Sequence, residues 1–273
     1  MIDLHVHTTA SDGTLTPTEI IILAKESGLL GIGITDHDTV AGIAEAIASG
    51  KEKGIQVIPG IELSCNWNDQ EIHILGYFIS YKSKDLIDKL KFLQDKRQHR
   101  IYQMVDEANK HGYKVTIDEV KALASGESIG RPHLAQALLK KGYISSVAEG
   151  FEKYLTKGKP FYVPRYKLTP FEAIDIISNV NGVSVLAHPG LYKDGWENLL
   201  PDLIAVGLAG IEINYPEHSD YLIKELQILA KKNNLIATGG SDFHGNEIRE
   251  NMLGTVGVRS ETVKLLKERK KLI

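Results

Sequence analysis

Seven apolar runs of strand length recur along the chain, each giving way to polar residues: MIDLHVH (1–7), LGIGITDHD (30–38), IQVIPGIELS (55–64), EIHILGYFI (71–79), GVSVLAHP (182–189), GIEINYP (210–216) and LIATGGSDFH (235–244). Short, bounded apolar runs of this kind read as strands of a covered sheet. Helix-like segments lie between several of them. TPTEIIILAKESGL offers Thr16 as an N-cap, Pro17 at the first helical position and Gly28 as a stop. TPFEAIDIISNVNG repeats the arrangement with Thr169, Pro170 and Gly182, and HSDYLIKELQILAKKNN (218–234) reads as a third amphipathic helix. Strands alternating with helices predict an α/β chain with a mostly parallel sheet and helices outside it. Seven strands favour a closed or nearly closed barrel over an open sheet.

Residues 80–165 break this rhythm. Leu86, Leu90, Leu93, Ile101, Val105 and Ala108 fall at helical spacing and Gly112 ends the run, with further helical pieces around RPHLAQALLKKG and SVAEGFEKYL. The expected organisation is therefore a barrel from residues 1–80 and 166–273, interrupted by a helical insertion over 81–165. Phe92 and Tyr102 in that insertion are expected to pack into its core.

Composition changes the picture in three places. The formal net charge of −3, from 32 basic against 35 acidic residues, argues against a broad grip on duplex DNA, though not against a local basic pocket. The single cysteine, Cys65, allows no intramolecular disulfide and suits a reducing compartment. No run approaches the ~18 apolar residues that a membrane span needs, and the first residues read as a strand, not a leader. A cytoplasmic monomer without a membrane partner is the expectation.

Six of the ten histidines, His5, His7, His37, His73, His188 and His244, fall in the strand-end segments. Carboxylates accompany them: Asp12, Asp36 and Asp38 near the first two strands, Glu62 on the third and Asp242 at the last. In α/β barrels chemistry gathers where the strand ends and their loops converge. His5 and His7, two apart on a strand, share a face, as do Asp242 and His244. Each residue alone has a plain structural explanation, and Glu62 alone would be an ordinary surface carboxylate. Nine such groups crowded on one rim would be costly to bury without cations. Imidazole and carboxylate donors without thiolate suit Mn²⁺, Fe²⁺ or Zn²⁺ better than Mg²⁺, and nine ligands exceed the needs of one ion. Two or three ions are expected, Mn²⁺ first among them, with a carboxylate such as Glu62 bridging a pair.

In their order, HVHTTASDG, ITDHDT, GIELS, HILGY, AHP and GSDFHG resemble the motifs of the PHP superfamily, named for polymerase and histidinol phosphatase. The resemblance implies a distorted (βα)7 barrel with a metal cluster at its rim. It implies that His5, His7, Glu62 and Asp242 hold one ion, that Glu62, His73 and His188 hold a second, and that Asp12, His37 and His244 hold a third. The insertion bearing GRPHLAQAL is most similar to that of a subgroup whose members remove the 3′-phosphate from nucleoside 3′,5′-bisphosphates such as pAp, some relatives also trimming RNA from the 5′ end. In that subgroup the insertion caps the metal site. Arg131 and His133 are the implied phosphate contacts, His133 also a candidate acid for the departing oxygen. Arg97 and Arg100 are implied substrate contacts, although without the resemblance a solvated helix face explains both. Arg131 gains from its place at a helix start, where free N–H groups also favour an anion. Asp12 sits where it would meet substrate as well as metal, and His218 in YPEHS occupies a rim position from which it would touch substrate.

The implied reaction is phosphoester hydrolysis by a metal-activated water, without a covalent enzyme intermediate. The expected substrate is a small phosphorylated nucleotide or a short oligonucleotide. Histidinol-phosphate phosphatase, 5′→3′ exoribonuclease on RNA ends, and a metal-holding module without activity are the alternatives.

Overall fold

The computed structural model describes residues 1–123, 129–164, 166–193, 195–245 and 252–270. It resolves into two compact units, Met1–Ile87 with Lys167–Ile273, and Asp88–Tyr166.

The first unit carries all seven expected strands: β1 (Ile2–Val6), β2 (Gly31–Ile34), β3 (Gln56–Trp67), β4 (Gln70–Tyr77), β5 (Val183–Leu186), β6 (Gly210–Asn214) and β7 (Ile236–Gly239). They form one sheet in sequence order. The ring is nearly closed by a parallel bridge between Val6 and Phe243, where the His7 N–H donates to the Phe243 carbonyl at 2.9 Å. Every residue of β1, β2 and β5 is buried, which explains their unbroken apolar character. Helices α1 (Pro17–Glu26) and α2 (Ile43–Lys53) follow the first two strands. Thr16 caps α1 in a box closed by Glu19, with Pro17 inside the first turn, as the sequence indicates.

The pairing is parallel from β1 to β3 and from β5 to β7, but β4 runs antiparallel to both its neighbours. The cause is local. No helix separates β3 from β4; Asn68 and Asp69 alone join them, both with positive φ (49° and 61°), as a tight hairpin turn requires. Asn and Asp tolerate that left-handed backbone better than other side-bearing residues. Because β4 is reversed, it meets the functional rim near its start, and His73 stands only three residues beyond Gln70.

The second unit is helical. The long helix α3 (Lys84–Lys110) begins in the first unit and runs through this one, followed by α4 (Ile117–Lys121), α5 (Arg131–Lys140) and α6 (Val147–Gly150), which continues as a π-helical turn over Phe151–Leu155. Met104, Leu134, Leu138, Leu155 and Phe161 form its core. Of the six apolar positions at helical spacing, Leu86, Leu90, Ile101, Val105 and Ala108 are buried and Leu93 is half-buried. Phe92 and Tyr102 depart from expectation, being 43% and 37% exposed. They lie off the apolar stripe, Phe92 beneath the Lys89 and Lys96 ammoniums and Tyr102 beneath that of Lys121.

The chain returns to the first unit through α7 (Pro170–Asn179), capped by Thr169 with Glu172, then α8 (Leu200–Ala205), α9 (Asp220–Lys232) and α10 (Ser260–Lys270). Among the described residues, no helix is long and apolar enough to cross a membrane.

Candidate metal centre

Strand alternation along β1 and the residue that follows it puts the fully buried His5 and His7 on one face, their ring centroids 5.2 Å apart. The segment after β7 lies so close to β1 that a Cβ on Gly240 would stand 2.3 Å from the His5 nitrogen; only glycine allows the approach. Beyond it Asp242 adopts positive φ (53°) and turns its carboxylate toward the two imidazoles. The buried Asp3 ties this seam together. Its carboxylate accepts from the His5, Ser241 and Gly254 amides and from the Ser241 hydroxyl, at 2.6–3.2 Å.

His5 Nε2 lies 3.4 Å from Glu62 Oε2 and 3.2 Å from Asp242 Oδ1; His7 Nε2 lies 3.2 and 3.1 Å from the same two oxygens. Glu62 faces three further imidazoles. His37 Nδ1 is 3.0 Å from Oε2, while His73 Nδ1 and His188 Nε2 are 2.8 and 3.1 Å from Oε1. Asp12 forms an outer group, with His244 Nε2, His7 Nδ1 and His37 Nε2 at 3.4, 3.7 and 3.8 Å from its oxygens. Among the described residues, three sets of donor atoms therefore lie close enough to share an ion: His5, His7, Glu62 and Asp242; His37, Glu62 and His73; and His7, Asp12, His37 and His244.

These residues fit divalent cations. Metal–ligand bonds of about 2.0–2.2 Å in a tetrahedral arrangement place neighbouring donors about 3.3–3.6 Å apart. The His5, His7, Glu62 and Asp242 atoms stand at 3.1–3.4 Å, close to that spacing. His5 Nε2, both His7 nitrogens, His37 Nδ1 and Glu62 Oε2 are buried without a hydrogen-bond partner. Buried polar atoms left so are rare in native proteins, and a cation supplies what they lack. The hydrogen bonds behind the donors agree. His244 Nδ1–H donates to the Asp242 carbonyl at 2.8 Å, which frees Nε2 toward Asp12. His5 Nδ1 faces both Glu212 oxygens at 3.1 and 3.2 Å, and Asp242 Oδ2 accepts from the Tyr215 hydroxyl at 3.0 Å.

Carboxylates and imidazoles set one another's protonation here. Burial alone would lower the His7 pKa, but the Asp242 and Glu62 carboxylates outweigh it and hold His7 up at about 9. The same contest raises His73 to about 10, through Glu62 and Glu71. At His37 burial wins, and its pKa falls to about 4. Burial would raise the Glu62 and Asp242 carboxyls, yet the surrounding imidazoles hold both well below the usual range. A cation bound there would displace the protons that these carboxylates hold on His7 and His73.

All nine expected ligand residues come together: the set of His5, His7, Glu62 and Asp242 is the one the resemblance implies, His7 is added to that of Asp12, His37 and His244, and His37 stands with Glu62 and His73 where His188 was expected. His7 borders two sets through its two nitrogens, and His37 joins both Glu62 and Asp12. His188 touches the same Glu62 oxygen as His73. Asp36 and Asp38 support loops. Asp36 accepts from the Thr8 amide and from the Thr8 and Ser11 hydroxyls at 2.7–2.9 Å, holding the turn that carries Asp12, and Asp38 accepts from the Ser64 amide.

His218 differs from its expected role. Its Nδ1–H donates to the Ile213 carbonyl at 2.8 Å and its Nε2 accepts from the Gly190 amide at 3.1 Å, so neither nitrogen is free for a substrate. In the helical unit, Arg131 opens α5, with its guanidinium donating to the Leu155 carbonyl and lying over the Phe151 ring. His133 Nδ1 accepts from the Gly130 amide, which leaves the proton of the neutral ring on Nε2. Arg100 is no freely solvated residue: its Nε–H donates to the Val163 carbonyl at 2.6 Å and it stacks on Tyr162. Arg97 falls within α3, with its side chain outside the described residues.

Sequence reasoning missed Glu212, Asp3 and Tyr215. The available signal was a carboxylate inside an apolar run, Glu212 in GIEINYP and Asp3 in MIDLHVH, both in strands buried over most of their length.

A seven-stranded α/β barrel with imidazoles and carboxylates converging on unpartnered donor atoms defines a metal-binding protein. The chain belongs to the PHP domain family, whose model matches residues 3–163, more than half of its length. It is 36% identical over 247 residues to the 3′,5′-nucleoside bisphosphate phosphatase of Chromobacterium violaceum, covering 89% of this chain and 87% of that one. It is also 36% identical over 247 residues to the 5′-3′ exoribonuclease Rnm of Escherichia coli, covering 89% and 84%. Among solved structures, one from Bifidobacterium adolescentis, itself only provisionally assigned as a metal-dependent phosphoesterase, superposes with a TM-score of 0.76 at 29% identity, covering 98% of this chain and 96% of that one.

Proposed function

We propose that this protein is a metal-dependent phosphoesterase that hydrolyses the 3′-phosphate of nucleoside 3′,5′-bisphosphates such as pAp and acts on short 5′-phosphorylated oligonucleotides. The observation that carries the reading is the buried set of unpartnered donors, His5 Nε2, His7 Nε2 and Glu62 Oε2, opposite Asp242. Relatives with similar coverage and identity bear the two activities in their names.

His5, His7, Asp12, His37, Glu62, His73, His188, Asp242 and His244 would hold two or three ions, Mn²⁺ first. Bound there, divalent ions supply Lewis acidity to a phosphoryl group and lower the pKa of water toward about 7. The chain's own contributions are specific. Glu62 gathers five imidazoles around one carboxylate. Asp36, through Thr8 and Ser11, steadies the turn that presents Asp12. Arg131 and His133 bind phosphate in this reading, and the Nε2 proton of His133 is suited to donate to a phosphate or departing oxygen. Arg97 and Arg100 bind the remainder of the nucleotide. His218 is left out because both its nitrogens serve the backbone. Cys65, buried and with its thiol pKa pushed up by burial, takes no part and suits a reducing cytoplasm.

The test is to present pAp, a 5′-phosphorylated short RNA and histidinol phosphate side by side with Mn²⁺ or with chelator, and to follow released phosphate and nucleotide. Mn²⁺-dependent release from pAp is the expected result. Preference for histidinol phosphate, or release unaffected by chelator, would overturn the reading.

A further inference from the structure

Glu212 is fully buried in β6, absent from all three donor sets, and yet touches two of the residues that surround Glu62. Its Oε1 and Oε2 lie 3.1 and 3.2 Å from His5 Nδ1, and Oε2 also accepts from the His188 backbone amide at 2.9 Å. A carboxylate only accepts, so the bond to His5 requires a proton on Nδ1. In the neutral ring that requirement leaves the Nε2 lone pair pointing at Glu62 and Asp242.

The bond to His188 acts differently. His188 has φ 20° and ψ 60°, a sparsely populated backbone that surroundings must over-determine. That backbone turn brings His188 Nε2 within 3.1 Å of Glu62 Oε1 and stacks its ring 5.7 Å from that of His5. Its amide has Glu212 as acceptor.

We propose that Glu212 is a positioning residue for the metal centre: one carboxylate fixes the tautomer of His5 and clamps the backbone that aims His188. This inference rests on the metal reading above, but not on the choice of substrate. Its effect is set by hydrogen-bond direction. A glutamine at 212 keeps the size and one accepting oxygen, enough for the His188 amide. Its NH₂ toward His5 Nδ1 favours the opposite tautomer, which places a proton where the metal must bind.

The experiment compares wild type, Glu212→Gln and Glu212→Ala for Mn²⁺ affinity by chelator competition at pH 7.5. Ions per chain are measured by elemental analysis, and the fold of the metal-free proteins by circular dichroism. Glu212→Gln is expected to fold and to bind Mn²⁺ about 10–100-fold more weakly, the usual cost of losing such a partner. Wild-type affinity in Glu212→Gln, or a change confined to the melting temperature of the metal-free protein, would overturn the proposal. A measurement on the wild type needs no variant: ring ¹⁵N shifts of His5 in the Zn²⁺-loaded chain should report the Nδ1–H tautomer, and Nε2–H would refute the idea. Normal metal binding without activity on pAp would remove the functional reading and leave this one standing.

Discussion

The floor of the metal centre and its lip are built from the same residue types to different standards. In the floor, His5, His7, Glu62 and Asp242 are all buried, their donors stand 3.1–3.4 Å apart, and Glu212 and Tyr215 brace them from behind. At the lip, Asp12 has a side chain 56% exposed, its donor spacings widen to 3.4–3.8 Å, and it rides on a turn. Desolvated donors in a rigid cage gain most from a cation, whereas a solvated carboxylate already has water. The floor is therefore expected to be the tight site and the lip the exchangeable one.

Five outcomes would break or sharpen that contrast. Asp242→Ala, in the floor, should reduce phosphatase activity on the order of 10³-fold, the upper range for loss of one electrostatic stabiliser, and lower the metal content of a folded protein; full turnover would sink the mechanism. Asp12→Asn, at the lip, should weaken one ion by about 10–100-fold, as measured by metal titration, while the floor stays filled. Equal metal loss in the two variants would erase the distinction.

Protonation gives the third. Floor and neighbouring imidazoles must shed protons to accept metal, with His7 at about 9 and His73 at about 10. Calorimetry at pH 7 in buffers of different ionisation enthalpy should therefore register proton release on Mn²⁺ binding, and none would contradict the charge balance described. The same shifts set the stability of the metal-free protein. A histidine raised above its ordinary 6.5 stabilises fully below that value, and the stability is lost as pH rises through the folded pKa. Melting temperature without metal should fall between pH 7 and 10. The smallest effect belongs to Ser11→Ala, which removes a 2.7 Å bond to Asp36 beneath the lip. At about 1 kcal/mol for such a bond, it should weaken lip occupancy about fivefold at most and leave the floor untouched.

The barrel was legible because its information is local. Apolar runs name the strands, and Thr16–Pro17 and Thr169–Pro170 name helix starts. The nine expected ligand residues stood out because so many imidazoles and acids recur where strands end. What pairs with what was hidden, since His5 meets Glu212 across 207 residues and Asp3 meets Ser241 across 238. The reversal of β4 was available in Asn68–Asp69 but masked by the alternating pattern around it. His218 misled for a related reason: its rim position was readable, whereas the backbone groups occupying its nitrogens come from Gly190 and Ile213. Phe92 and Tyr102 were aromatic residues near an apolar stripe, and one helical step put them outside it.

The seam at Gly240 and Asp3 has a consequence for biogenesis. His5 and His7 are synthesised long before Asp242, the carboxylate that stands opposite them. The floor donors are therefore assembled only when the segment beyond the seventh strand joins the first strand.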